Sequence, residues 1–584
     1  MCGIAGIAMQ PGAPGVAPLV LSALAAALAH RGPDGDGHTS IGRTALVHTR
    51  LAIIDLPGGD QPFFAGAAAL VANGEVYNYR ELSVGMTGLA TASDCEPPLH
   101  LYRAQSGYPD TLRGMFAIAI TDRSDRSLTL TRDPFGIKPL YTAVIPGGLA
   151  FASEPQALLA AGLAQRGVRP AARDELLQMQ FTTGADTIFP GIQRVLPGET
   201  LRAVDGHIVE RHRVEALPPG PPEEIGEDAA LARLDAALEQ SVDLHQRSDV
   251  PYGMFLSGGV DSAAILALMA RLNERPVLAY TAGFAVRGAP DERAAAAVVA
   301  RAAGAHHETV EVTEAMVWRH LPQIVAAMDD PAADYAIIPT WFLARRARQD
   351  VTVVLSGEGG DELFAGYGRY RSAMRPWWRG GRVMRARGTF DRLDVLRDPM
   401  PGWRDGFAAS EVRAAVPGRS RLAVAQATDV ADWLPHDLLL KLDRCLMAHG
   451  VEGRTPFLDL GVAAAAFRLP DTMKVRDGRG KWLLRQWLSR ALPAAAPFAR
   501  KQGFTVPVGT WIAGQGARLG PLVAAQPGVA EIAAPDRVCA LFRAASGRHE
   551  AFAAWSLLFY ALWHRAHVEA RTMDGDVFEV LAAR

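Results

Sequence analysis

Met254-Phe255-Leu256-Ser257-Gly258-Gly259-Val260-Asp261-Ser262 reads as a strand that runs into a glycine loop and opens a helix. The strand is expected over Tyr252–Leu256 and the helix from Ser262 to Arg271. Two glycines let the backbone approach a bulky anion, and the free amides of a helix N-terminus suit phosphate oxygens. Asp261 adds a carboxylate of the kind that holds Mg²⁺ together with substrate phosphates. The loop has no lysine, unlike Gly-x-x-x-x-Gly-Lys-Ser/Thr, which points to pyrophosphate as leaving group rather than to γ-phosphoryl transfer. Outward from this stretch, helix 229–244 precedes it. Strands 277–281 and 309–312 follow, with helix 291–303 between them. The continuous apolar run Val351–Leu355 is the pattern of a parallel strand covered on both faces. Such alternation predicts an α/β parallel sheet, with a mostly helical remainder to Arg584.

A second acidic glycine loop, Ser356-Gly357-Glu358-Gly359-Gly360-Asp361-Glu362, follows that buried run. Loops at the carboxyl ends of parallel strands line one crevice, so both loops are expected to face the same cleft. Asp361 would then share Mg²⁺ with Asp261, and Glu358 would handle a proton or orient a nucleophile. A dinucleotide-binding Gly-x-Gly-x-x-Gly fails because Glu362 stands at the third glycine position. His306-His307-Glu308 lacks the His-Glu-x-x-His spacing of a zinc protease, so no metal is expected there.

The first part of the chain has a different texture. From Cys2 to Val214, short extended runs (44–54, 68–72, 115–121, 128–131, 149–152) are separated by Gly, Pro and Asp, predicting a largely antiparallel β domain. Residues 215–228, rich in proline and acid, read as a linker to a second domain over 229–584. Excision of Met1 would place Cys2 first, with a thiol and a free α-amine on one Cα. That amine, with a reference pKa of about 7.7–8.0, can act as the thiol's own general base. The alternative is a small buried hydrophobe in a first strand.

At 584 residues, 49% hydrophobic and 21% charged, the composition is that of a globular chain of several domains. With 60 basic and 62 acidic residues it offers no electrostatic reason for nucleic acid or an anionic membrane as partner. Cys2, Cys95, Cys445 and Cys539 are too scattered for a zinc site or disulfide framework, which fits a reducing cytoplasm. Val16–Ala29 is shorter than the ~20 residues of a membrane span and reads as a core-facing helix. The arginine-rich stretch 369–397 reads as a mobile insertion without assigned function.

With these motifs in hand, the chain resembles glutamine-hydrolysing asparagine synthetases, class II glutamine amidotransferases with a C-terminal AMP-forming synthetase domain. The resemblance rests on Cys2-Gly3-Ile4, His30-Arg31-Gly32-Pro33-Asp34-Gly35, Arg50-Leu51-Ala52-Ile53-Ile54-Asp55, Asn73-Gly74-Glu75-Val76-Tyr77-Asn78, Ser93-Asp94-Cys95-Glu96 and Arg132-Asp133-Pro134-Phe135-Gly136. It continues through both glycine loops, Lys441-Leu442-Asp443-Arg444, Glu452-Gly453-Arg454-Thr455-Pro456-Phe457 and Arg500-Lys501-Gln502-Gly503-Phe504. It implies an αββα N-terminal-nucleophile hydrolase domain joined to an ATP pyrophosphatase domain. Cys2 would be the nucleophile, Asn73 and Gly74 the oxyanion hole, and Arg50, Asp94 and Glu75 the groups that hold glutamine. Leu256, Ser257, Gly258, Gly259, Asp261, Ser262, Ala282, Ser356 and Gly357 would contact ATP, Glu358 and Lys501 would be catalytic, and Asp261 and Asp361 would hold Mg²⁺. The implied reaction uses glutamine and ATP to convert L-aspartate to L-asparagine in the cytoplasm.

Two departures stand out. Only Ser83–Ala92 bridges the gap before Ser93, where the family has a longer helix and strand, which abbreviates the support beneath Asp94. Position 95 is Cys where Thr is expected. Other acceptors, such as sugar acids or peptide intermediates, and ring-closing amide synthesis of the β-lactam synthetase or lasso-cyclase type, are the competing readings. The intact set Cys2, Arg50, Asp261, Glu358 and Asp361 disfavours a non-catalytic relative. A homodimer is the default expectation for oligomeric state.

Overall fold

A computed structural model describes residues 2–284, 286, 291–398, 400–499 and 506–583. The chain before the linker forms twelve strands: β1 (Gly3–Met9), β2 (Gly35–Ile41), β3 (Thr44–Arg50), β4 (Phe63–Ala65), β5 (Ala68–Val76), β6 (Gly114–Asp122), β7 (Ser127–Arg132), β8 (Tyr141–Ile145), β9 (Gly148–Ala152), β10 (Ile192–Arg194), β11 (Glu199–Val204) and β12 (His207–Arg213). They build two six-stranded antiparallel sheets, β10-β8-β9-β1-β3-β2 and β12-β11-β7-β6-β5-β4.

The period-two alternation of a strand sorts its side chains into two layers. Ile4 and Ala8 of β1 meet Val71, Ala119 and Leu130 of the opposite sheet, so the sheets stack face to face. Ala5, Ile7 and Met9, one residue out of phase, pack outward on Leu24 and Leu28 of helix Pro18–Leu28. On the far side, Leu70, Ala72, Ile118 and Ile120 cover Leu99 and Leu101 of helix Pro97–Ala104. The result is the expected helix–sheet–sheet–helix sandwich.

Beyond helix Glu227–His245 lies the parallel sheet, made of β13 (Tyr252–Phe255), β14 (Leu278–Phe284), β15 (His306–Val312), β16 (Val353–Leu355) and β17 (Glu452–Arg454) in the order β15-β14-β13-β16-β17. The chain builds outward from β13 on one side and then crosses to β16 on the other. The switch point between β13 and β16 opens a crevice at their carboxyl ends. The two glycine loops emerge there, from β13 and from β16.

Local boundaries differ from expectation in instructive ways. The run expected as strand to Ile54 stops at Arg50, because the Arg50 guanidinium folds back onto Leu56 O at 3.1 Å and Asp55 O at 2.7 Å. The glycine-loop helix begins at Val260, which puts Asp261 and Ser262 inside its first turn. His306 and His307 belong to β15, and His307 Nε2 sits 2.7 Å from Thr281 Oγ1. The stretch 369–397 is not a loose insertion. The Arg369 guanidinium lies 3.9 Å from the Tyr367 ring and 3.8 Å from the Trp433 ring, and its Nη2 lies 2.7 Å from Asp429 Oδ2. Arginine stacked on aromatic faces and paired at the same time is an anchor.

The two halves share buried surfaces. Leu51, Tyr77, Phe135 and Ile137 from the first half pack with Leu238, Met254, Phe457 and Leu458 of the second. Beside them lies a water-excluded charge network. Arg31 places Nη1 2.6 Å from Glu154 Oε1, and holds Asp443 through two bonds of 2.8 and 3.0 Å. Arg444 continues it to Asp329 at 2.7 Å. Among the described residues no helix is long and apolar enough to cross a membrane.

Candidate functional site

Cys2 stands immediately before strand β1. Its nitrogen donates to Asn73 Oδ1 at 3.2 Å, and its carbonyl accepts from Arg31 Nε at 3.1 Å. Burial pushes its thiol up from the ordinary cysteine value, so the sulfur is held un-ionised. With Oδ1 occupied, Asn73 directs Nδ2 elsewhere, and that atom has no hydrogen-bond partner among the described residues although Asn73 is 0% exposed. A buried donor left unmade costs about 1–3 kcal/mol, a cost that a developing oxyanion would relieve. Neighbouring Gly74 has φ +148°, and a Cβ there would fall 2.0 Å from Met115 O, so no other residue fits.

The residues expected around a zwitterion are gathered at the same end of the sheets. Arg50 is held by Asp60 at 2.7 Å as well as by the two loop carbonyls. Asp94 accepts from the Val76 amide at 2.8 Å and the Cys95 thiol at 3.3 Å; burial pushes its carboxyl up to about 6. Cys95 is fully packed, its sulfur 3.6 Å from Gly74 O. The short bridge 83–92 is tied down by Glu96, whose carboxylate accepts from the Ala90 and Thr91 amides, each at 2.7 Å, and from the Thr91 hydroxyl at 2.6 Å. Thus one carboxylate ties down the short bridge that leads to Asp94. Glu75 reaches across to the second half, with Oε2 3.4 Å from Arg454 Nη2. Burial and then the neighbouring Asp94 push the Glu75 carboxyl well above the carboxylate range.

At the switch point, a cavity of ≈ 350 Å³ is lined by Leu256, Ser257, Gly259, Asp261, Ser262, Ala282, Ser356, Gly357, Glu358 and Asp361. That is the size class of small-molecule sites. Gly258 faces the other side of the loop, into a second cavity of ≈ 420 Å³ that also touches Gly259, Asp361, Lys481 and Arg485. Ser262 Oγ clamps the loop, accepting from the Ser257 amide at 3.0 Å.

Where the two loops meet stands Lys481, which sequence reasoning missed. Its ammonium contacts Asp261 Oδ2 and lies 2.6 Å from Asp361 Oδ1. Burial works against this charge, but the two carboxylates outweigh it and keep the lysine protonated. Gly366 makes the room: a Cβ there would overlap Asp361 Oδ1 at 1.7 Å and Lys481 Cε at 2.3 Å. Two carboxylates converging on one cation fit the expected Mg²⁺, which takes few protein ligands and completes its shell with phosphate and water. Among the described residues no group of three or more His, Cys, Asp or Glu forms a fuller metal cage. Glu358 lies on the cavity wall, 3.8 Å from Lys441 Nζ; burial raises its carboxyl, while Lys441 opposes the rise. Lys501, expected as a second catalytic lysine, lies outside the described residues.

Residues 233–565 match the family described as asparagine synthase, and residues 1–213 match the glutamine amidotransferase domain family. A Mycobacterium tuberculosis protein named "Putative asparagine synthetase (glutamine-hydrolyzing)" is 35% identical over 97% of this chain and 98% of its own length. The chain belongs to the asparagine synthase family. Bacillus subtilis asparagine synthetase (glutamine-hydrolyzing) 1 is 30% identical over 94% of both chains. Penicillium rubens amidase chyE is 31% identical over 59% of this chain and 54% of its own. Within this asparagine synthase relative, Lys481 was not found from sequence because a lysine followed by Trp-Leu-Leu-Arg carries no motif of its own. Only the fold brings it 220 residues back to Asp261. Arg454 lies in the stretch Glu452-Gly453-Arg454-Thr455-Pro456-Phe457, but its contact with Glu75 has no signal in spacing.

Proposed function

We propose that this chain is a glutamine-dependent amidotransferase with its labour divided as residues 2–214 and 229–584. The first part releases ammonia from glutamine. The second activates a carboxylate with ATP, most simply that of L-aspartate, and ammonia converts it to the amide. The observation that carries this reading is the pairing of two sites in one chain: a buried thiol beside an unpartnered carboxamide donor, and two acidic glycine loops closed on a cation.

After Met1 is removed, the Cys2 α-amine takes the thiol proton as sulfur attacks the glutamine side-chain carbonyl. Asn73 Nδ2 and the Gly74 amide receive the oxyanion. Ammonia leaves, and water hydrolyses the γ-glutamyl thioester. Arg50 holds the substrate α-carboxylate and Asp94 its α-ammonium, with Glu75 assisting. In the second site an acceptor carboxylate oxygen attacks the α-phosphorus and pyrophosphate departs. Ammonia then attacks the acyl carbon and AMP leaves. Bound Mg²⁺, held by Asp261 and Asp361, would neutralise phosphate charge. Lys481 supplies a fixed positive charge at the same place, and Glu358 is positioned to manage a proton of the incoming ammonia.

The nucleotide product tests this. AMP and pyrophosphate are expected in equal amounts with amide, and pyrophosphate exchange into ATP should require the acceptor. Accumulation of ADP would overturn the reading. A second check lies in acid. Asp94 must be ionised to hold an ammonium, and its carboxyl is pushed up to about 6. The kcat/KM for glutamine should therefore fall as pH drops through about 6, while ammonia-dependent synthesis, corrected for free ammonia, lacks that limb. Asp94→Asn should remove the limb at a uniformly low kcat/KM.

A further inference from the structure

The turn that carries Asp361 is closed from outside. Asp361 stands in a four-residue helix, Gly360–Leu363, and the last carbonyls of a helix have no partner within it. Backbone amides meet several carbonyls of this turn: Phe364 N donates to Gly360 O at 3.2 Å, Gly366 N to Asp361 O at 2.8 Å, and Lys481 N to Phe364 O at 2.8 Å. The carbonyls of Glu362 and Leu363 accept instead from one side chain, Gln426, whose Nε2 lies at 2.5 and 2.8 Å. Gln426 belongs to helix Arg421–Thr428 and is 0% exposed. The turn it serves is tight. Ala365 has φ +58°, in the left-handed region, and Gly366 is pressed against Asp361 and Lys481. Such a backbone persists only where its surroundings over-determine it.

A carboxamide can present either its oxygen or its amino group to a neighbour, and Lys474 decides which. The Lys474 ammonium donates to Gln426 Oε1 at 3.0 Å and to Phe467 O, and sits 4.9 Å from the centre of the Phe467 ring. A lysine is a donor only, so it admits the carboxamide oxygen and turns the amino group toward the Asp361 turn. Lys474 is 1% exposed and has no ion pair among the described residues. Burial pushes its ammonium down to about 7, which Asp471 only partly offsets. Burying a charge without a counter-ion is unfavourable. What Lys474 gains in return is its hold on Gln426 and on Phe467 O.

We propose that Lys474 and Gln426 are positioning residues of the nucleotide site: Lys474 orients the Gln426 carboxamide, and the carboxamide holds the 360–366 turn so that Asp361 meets Lys481 and the cation that accompanies ATP. The proposal rests on the synthetase reading above and deepens it by naming a support for Asp361. Neither residue lines the cavities on the two sides of the glycine loop, so their effect passes through the turn. With the carbonyls of Glu362 and Leu363 released, the turn loses two buried hydrogen bonds and Asp361 its fixed direction.

Calorimetric titration of the full chain with ATP and Mg²⁺, in the absence of an acceptor, tests the assignment. Gln426→Glu keeps the side chain's shape and gains an ion pair with Lys474, yet a carboxylate has nothing to donate to the two carbonyls. ATP should bind to it about tenfold more weakly, the scale of a buried acceptor left unpaired. Gln426→Met and Lys474→Met should each weaken binding, and the two together should weaken it no more than Gln426→Met alone, because both act through one link. In pyrophosphate exchange the KM for ATP should rise while kcat and the glutaminase rate stay near wild type, the split expected when binding rather than chemistry loses support. Unchanged ATP affinity in folded Gln426→Glu overturns the proposal, and so does strict additivity of the two Met substitutions. Loss of glutaminase together with nucleotide binding in every variant would show a purely structural role and overturn it as well. Wild type that binds no ATP overturns the synthetase reading itself, and that outcome is distinct from variants that bind ATP as tightly as wild type.

Discussion

Cys2→Ala is expected to eliminate glutamine-dependent amide formation, by roughly 10⁴-fold or more, because a covalent route has no substitute nucleophile. The same variant should keep ammonia-dependent synthesis near the wild-type rate. Alanine fits the position: Cys2 is 7% exposed, and its backbone contacts to Asn73 and Arg31 do not use the sulfur. The parallel-sheet cleft is built from other elements and loses nothing. Amide production from glutamine and from ammonium chloride, measured side by side, decides the matter. Loss of both activities in a folded variant would contradict two separate sites.

The second large effect concerns the charge network between the halves. Asp443→Ala leaves the Arg31 guanidinium, itself 0% exposed, with Glu154 alone where two carboxylates had balanced it against neighbouring Arg444. Removing one member of a buried pair costs about 3–5 kcal/mol, far more than the loss of a surface bridge. Denaturant unfolding should register that loss as a lower midpoint. Asp443→Asn, which keeps one acceptor oxygen, should cost less. Because Arg31 also holds the Cys2 carbonyl at 3.1 Å, glutaminase kcat should fall in Asp443→Ala under conditions where the chain stays folded. A midpoint shift worth under about 1 kcal/mol would mean that the network does not hold the two halves together.

Much of the architecture was legible because it is written in local patterns. The antiparallel and parallel halves differ in how apolar residues recur, and both glycine loops announce themselves through residues no ordinary turn requires. Cys2, Asn73, Gly74, Asp261, Asp361 and Glu358 lie in such stretches. What stayed hidden depends on contacts between segments far apart in the chain. Lys481 is an unremarkable lysine until the fold sets it between Asp261 and Asp361. The Glu96 carboxylate that braces the short bridge before Asp94 looks like any acidic residue ahead of a helix. The 369–397 stretch misled because arginines usually signal solvent, whereas Arg369 spends its charge on two aromatic faces and Asp429.

The manner in which the halves are joined limits how such enzymes can be recombined. Arg31 answers to Asp443 and Arg113 to Asp459 at 2.6 Å, so each half is keyed to the other by charge as well as by shape. A chimera that takes its ammonia-releasing module from one relative and its ligase module from another must inherit these complementary couples together. Grafts that split them would bury orphaned ions at the seam, whatever the quality of either module alone.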